Sequence, residues 1–232
     1  MARDTTVVTW DHRGSGRSSD LADRTGPEIA VGDLLAVLDA PGATRADLVG
    51  QSMGGWTVVG VALVPRSLAR ALARRLVLAD TLGGFTSDAI VAGLERRPPG
   101  VSDPSDVLGR HPALGQRFSA RQPERAHLYQ SLGRMGTADP AVVPPRLVAA
   151  AHDASEAAAL TVPVLCVVGE LDPLFPPPSV RALADLLPDG RVVELPGCGH
   201  SPSFEDAPAW NAAVGDFLRA LDARPGSATE AG

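Results

Sequence analysis

The stretch Gly50-Gln51-Ser52-Met53-Gly54-Gly55 lies between two segments of opposite character. Ala46-Asp47-Leu48-Val49 ahead of it reads as a short buried strand, and Trp56-Thr57-Val58-Val59-Gly60-Val61-Ala62-Leu63 behind it can run as a helix. A passage from strand to helix in so few residues has to be a sharp turn that strains its central residue and crowds the residues around it. Gly50 and Gly54, flanking the serine, answer that crowding. With Gln51 and Met53 they form an elbow that pushes the hydroxyl of Ser52 out of the backbone as a candidate nucleophile.

Two further pieces follow downstream. Val164-Leu165-Cys166-Val167-Val168-Gly169-Glu170-Leu171-Asp172-Pro173 is a hydrophobic strand whose end presents an acid. Val192-Val193-Glu194-Leu195-Pro196-Gly197-Cys198-Gly199-His200 is a shorter strand followed by a glycine-flanked histidine. The elbow, the acid and the histidine, in the order Ser, Asp, His, resemble the α/β-hydrolase family. The resemblance implies an α/β-hydrolase fold: a mostly parallel sheet with flanking helices and a helical lid. It also implies Ser52 as nucleophile, His200 as general base, Asp172 as the acid that orients it, and the Met53 amide as an oxyanion-hole donor. Some relatives carry the acid one strand earlier, where this chain has Asp80. The Gly-x-x-Asp-Pro setting favours Asp172, and Asp80 reads as the cap of a turn before Thr81-Leu82-Gly83-Gly84.

At 232 residues the chain can hold one domain with a sizeable core. A hydrophobic content of 44% with 21% charged residues is ordinary for a globular protein. The net charge of -6, spread without long runs, offers no basic footprint for nucleic acid and no cationic face for a membrane, so the expected partner is a small-molecule substrate. Cys166 and Cys198 read as buried or loop fillers rather than a disulfide, which suits a reducing compartment. The amino terminus lacks the apolar core of a signal peptide and no run reaches the length of a membrane span, so the expected location is cytoplasmic. No cofactor or metal is expected.

In chain order, Thr6-Val7-Val8-Thr9-Trp10 reads as a strand running into Asp11-His12-Arg13-Gly14-Ser15-Gly16-Arg17-Ser18, a stretch similar to a structural glycine loop of the family. His12 is expected to serve that loop rather than the chemistry. Val31, Leu34, Leu35 and Leu38 share one face of a helix from Pro27. Pro65 to Arg75 is expected to be partly helical, with Arg70, Arg74 and Arg75 solvated, before the strand Leu76–Asp80. Residues 1–81 thus form the first part of the core. Residues 82–161, broken by prolines and carrying His111, His127 and His152 as surface or packing residues, look like a lid; Phe85, Phe118, Leu128, Tyr129 and Met135 either line its pocket or form its own core. Residues 162–222 complete the core, with Ser179 as N-cap of one helix and Pro208–Leu221 as the last, and 223–232 form a frayed tail.

The family carries further strands ahead of the one at Val7, and a His-Gly loop that supplies a second oxyanion amide. The expectation is therefore an N-terminally truncated form, in which the Val7 strand closes up against the elbow strand because unpaired buried backbone groups cost about 1–3 kcal/mol each. Only the Met53 amide is then left for the oxyanion, and loss of one donor of two costs about 10²–10³ in kcat. Serine at position 52, where dehalogenases and epoxide hydrolases of the fold carry aspartate, points to acyl transfer on an ester, lactone or related substrate. A weakly active or inactive binding protein and a cofactor-free haloperoxidase are the alternatives.

Overall fold

A computed structural model describes residues 5–13, 16–18, 26–65, 72–96, 113–133 and 151–222. Gly14 and Ser15 of the glycine loop, Arg70, His111, Met135, most of the prolines expected in the lid, and the tail lie outside the described residues. The elements in order are α1 (Pro27–Asp39), β1 (Arg45–Gln51), α2 (Gly54–Leu63), β2 (Leu72–Ala79), β3 (Phe85–Thr86), α3 (Asp88–Leu94), α4 (Gln116–Arg121), α5 (Pro123–Gly133), β4 (His152–Asp153), α6 (Ala154–Ala157), β5 (Val164–Gly169), α7 (Pro177–Leu186), β6 (Gly190–Leu195), α8 (Pro202–Glu205) and α9 (Ala207–Asp222).

The main sheet is four-stranded, in the order β1-β2-β5-β6, and each pair is parallel. Alternation along the central strands divides the apolar residues between two layers. Leu76, Leu78, Val164, Cys166 and Val168 face α1, α2 and α7 through Leu34, Leu38, Val58, Val59, Val180 and Leu183. Val77, Ala79, Leu165 and Val167 face α9 through Trp210, Val214 and Phe217. The run Val164–Gly169 is buried throughout, as expected of a parallel strand covered on both faces. This is the α/β-hydrolase arrangement, with helices on both sides of a parallel sheet. Both cysteines are free and buried, one in each layer, and burial pushes their thiols up to about 12. Among the described residues no helix is long and apolar enough to cross a membrane.

Four expectations are corrected. Thr6–Trp10 forms no strand and does not close onto the elbow strand: β1 pairs only with β2 among the described residues, while Val7 and Val8 are 56% and 45% exposed. The segment is anchored elsewhere, by Trp10 packing on the core and by a fork of Arg13 onto both Asp33 oxygens of α1 at 2.6 Å. Arg74 and Arg75 are not on a helix but in β2, where both reach Asp47 of β1, and Arg75 also donates to the Leu218 carbonyl of α9. Arg75 is only 4% exposed, because its charge is matched across the sheet rather than by water. Ser179 lies inside α7, whose N-cap is Pro176, and its hydroxyl donates to the Pro176 carbonyl. The span 82–161, in which the sequence shows no strand pattern, does contain one pairing: Phe85–Thr86 lies parallel to His152–Asp153.

Breaking a buried ion pair from one side leaves a charge uncompensated. Asp47→Ala is expected to lower stability by about 3 kcal/mol. Arg74→Gln, at the wetter end of the same cluster, should stay within about 1 kcal/mol. The midpoints of urea unfolding curves measure both.

Candidate active site

Parallel registration puts the carboxyl ends of the four strands at one rim, and each delivers a polar group there. Ser52 follows β1, Asp80 follows β2, Asp172 lies in the turn after β5, and His200 lies in the loop after β6. Ser52 has φ of +50, the left-handed conformation a strained elbow imposes, held by its N–H donating to the Ala79 carbonyl at 2.9 Å and its carbonyl accepting from Gly55 at 2.9 Å.

The glycines around it do unequal work. A Cβ on Gly50 would stand 2.5 Å from the Gly54 carbonyl oxygen, and one on Gly55 would stand 2.4 Å from the Thr81 hydroxyl. A Cβ on Gly54 would meet nothing within 4 Å. The close approach behind the serine therefore falls on Gly55, which packs on the loop after β2, and not on Gly54 as the motif suggests.

The Ser52 hydroxyl lies 2.9 Å from His200 Nε2, and His200 Nδ1 lies 2.9 Å from Asp172 Oδ2. The other Asp172 oxygen accepts the N–H groups of Leu174 at 2.8 Å and Phe175 at 3.1 Å, which fixes the carboxyl plane. Asp172 and His200 are buried, and the ring of Phe175 stands 5.7 Å from the imidazole and 6.4 Å from the Trp56 ring, shielding the row from water. Met53, with helical backbone at the N-cap of α2, has an N–H that meets no acceptor among the described residues. It therefore stands beside the serine with a free donor at the positive end of a helix dipole. A hydroxyl, an imidazole and a carboxyl in hydrogen-bonded sequence are an arrangement able to deprotonate a hydroxyl as it attacks.

Several supporting contacts went unread in the sequence. The Gln51 side-chain amide donates to the His200 carbonyl at 2.9 Å, tying the elbow to the histidine loop. Glu205 accepts the amides of Gly199 at 3.0 Å, Ser201 at 3.3 Å and Gly115 at 3.1 Å. Burial raises its carboxyl above the ordinary range while these donors pull it down. Glu205 thus joins the histidine loop to the segment that leads into α4. In the same region Arg125 stands over both the Phe118 and Phe204 rings, 5.0 and 5.1 Å from their centroids, and Tyr129 shares a 2.7 Å hydrogen bond with Ser201. In the sequence Glu205 stands beside Asp206 in Ser201-Pro202-Ser203-Phe204-Glu205-Asp206, with no local feature that sets it apart from a surface acid. Phe85 is core, Phe118 packs on Phe204, and Leu128 is exposed.

Asp80 does not cap the turn ahead of it. Its carboxyl points across the rim to accept the Gly169 N–H at 2.9 Å, and Gly83 is held by the Thr81 hydroxyl instead. His12 lies against the Trp10 ring at 5.4 Å, and burial lowers its imidazole below the ordinary value. The Asp11 carboxylate accepts from the Arg17 amide at 3.0 Å, consistent with a structural role for that loop.

Such a sheet, with such a row at its rim, defines an α/β enzyme of the hydrolase type. The chain belongs to the alpha/beta hydrolase family, whose model matches residues 1–214. It is similar to the rhodomycin D methylesterase DauP of Streptomyces sp. (strain C5), 30% identical over 231 residues that cover 84% of this chain and 75% of that protein. It is also similar to the 2-hydroxymuconate semialdehyde hydrolase of Pseudomonas sp. (strain CF600), 29% identical with coverage of 96% and 80%. The solved enol-lactonase from Burkholderia xenovorans LB400 superposes with a TM-score of 0.68 at 28% identity, over 90% of this chain and 79% of that one.

Two substitutions test the packing around the serine. Gly50→Ala should destabilise by about 1–3 kcal/mol and depress activity with it, while Gly54→Ala should be neutral or stabilising by up to about 1 kcal/mol; thermal unfolding compares them. Glu205→Gln puts an NH₂ group where backbone donors converge, and a loss of about 1–3 kcal/mol is expected from the same measurement.

Proposed function

We propose that this protein is a serine hydrolase that cleaves small carboxylic esters, lactones or related acyl compounds through an acyl-enzyme. The observation that carries the proposal is the unbroken row from Ser52 Oγ through His200 to Asp172, with 2.9 Å at each link. His200 Nε2 takes the hydroxyl proton as Ser52 Oγ bonds to the substrate carbonyl carbon, and the carbonyl oxygen becomes an oxyanion facing the Met53 amide. The imidazolium, stabilised by Asp172, returns its proton to the departing oxygen as the tetrahedral species collapses. Water then enters by the same route in reverse, and its attack on the acyl carbon frees the acid and Ser52.

Serine rather than aspartate at position 52 directs the chemistry to acyl rather than alkyl intermediates. The relatives' names, a methylesterase, a semialdehyde hydrolase and an enol-lactonase, point to small carbonyl compounds. Residues 82–161 act as the lid and shape the substrate space; in support, Gly115 and Arg125 of this span bond to Glu205 and Phe204 of α8, and Tyr129 bonds to Ser201 beside the histidine. The protein works in the cytoplasm on a diffusible substrate and needs no cofactor.

A fluorophosphonate probe should label Ser52 in the native protein and fail with Ser52→Ala. With p-nitrophenyl acetate, Asp172→Asn should lower kcat by about 10⁴. A folded protein that resists the probe, or that turns over only bromide, peroxide and acetate, would overturn the proposal.

A further inference from the structure

We propose that Asp80 holds a proton and donates it as a hydrogen bond to the Asp172 carboxylate, making Asp80 a positioning residue for the Ser52–His200–Asp172 row. The inference rests on the function proposed above for that row.

The strand order carries the first part of the case. β2 lies between the strand that bears Ser52 and the strand that leads to Asp172, so the residue that ends β2 sits under the centre of the row. Asp80 directly follows the last residue of that strand, and it is 0% exposed. It has φ of +48, a conformation Asp tolerates better than most residues but still at a cost. A carboxyl oxygen of Asp80, one of Asp172 and a ring nitrogen of His200 all lie within 4.8 Å of one another.

Counting donors and acceptors carries the second part. Asp80 Oδ1 accepts the Gly169 N–H, but Oδ2 is buried and no donor reaches it among the described residues. An ionised oxygen left so would lose its hydration with nothing in return. Protonated, it becomes a donor and needs an acceptor. A carboxylate offers about four lone-pair positions. Asp172 uses three, for Leu174, Phe175 and His200, which leaves one for the Asp80 O–H.

The charges around the group agree. Burial first, then the Asp172 carboxylate, hold the Asp80 carboxyl well above the ordinary carboxylate range, with Glu205 of α8 adding to the shift and the Gly169 amide opposing it. The other ionisable groups of the cluster are His200 and the Cys198 thiol, both on the loop after β6. Two ionised carboxylates this close would repel, whereas one shared proton removes the repulsion and tethers the acid that orients the imidazole.

The test combines spectroscopy with kinetics. The difference infrared spectrum of native protein minus Asp80→Asn at neutral pH should contain the carbonyl stretch of a protonated carboxylic acid; carboxylate bands alone would overturn the inference. Asp80→Asn supplies an amide N–H in place of the O–H, so it should keep kcat within about threefold of native and leave the acidic limb of the kcat/KM profile in place. Asp80→Gly removes the donor without backbone strain, and should lower kcat about 10–100-fold with little change in KM. Were Asp80 ionised in the native enzyme, Asp80→Asn would remove a negative charge beside the imidazole and move the acidic limb to lower pH, which would also overturn the inference. The infrared band does not depend on turnover. If the band is present and Ser52 resists the fluorophosphonate, the proton assignment stands and the proposed function falls; if Ser52 is labelled and the band is absent, only the inference falls.

Discussion

Parallel hydrogen-bond registration across β1, β2, β5 and β6 is the constraint from which the site follows. Gln51 is level with Ala79 and Ala79 with Val167, while β5 and β6 run two residues further and end together at Gly169 and Leu195. Residues far apart in the chain then leave the sheet at one rim, and short turns are enough to bring a hydroxyl, a ring and two carboxyls within reach of each other. Burial on both faces makes that registration hard to shift, since sliding a strand by one residue would move Leu76, Val77 and Leu78 each into the wrong layer.

The site concentrates backbone strain among the described residues. Ser52 and Asp80 are the non-glycine residues with positive φ among those described, and they end adjacent strands. Each is fixed by backbone bonds to a neighbouring strand, Ser52 N–H to Ala79 and Asp80 N–H to Val167 at 2.8 Å. The sheet therefore holds both conformations in place, and the groups are organised before any substrate arrives.

Strand-end groups flanked by glycine and proline could be read from sequence because the local chemistry is sufficient: a serine in Gly-x-Ser-x-Gly, an acid in Gly-x-x-Asp-Pro and a histidine after Gly-Cys-Gly each carry their own context. The parallel sheet with helices on both faces was legible for the same reason, through the apolar runs at Leu76 and Val164. What could not be read depends on which strand stands next to which. Arg75 resembles a solvated helix residue until Asp47 and the Leu218 carbonyl are brought to it across the sheet. Gly55 is constrained by Thr81, and Asp80 by Gly169, neither of them a sequence neighbour. The Thr6–Trp10 segment has strand composition, yet Trp10 packs on the core and Arg13 just beyond it pairs with Asp33 of α1, with no pairing to β1 among the described residues.

The two thiols occupy opposite layers of the sheet, Cys166 among the residues facing α1, α2 and α7, and Cys198 among those facing α9. Both are buried and shifted toward the neutral, unreactive form. A thiol reagent can modify either one only after its own layer has parted, so the chain contains a pair of intrinsic clocks for local opening. Because Cys198 lies in the histidine loop and Cys166 lies mid-sheet, their separate alkylation rates distinguish loosening of the site from loss of the fold.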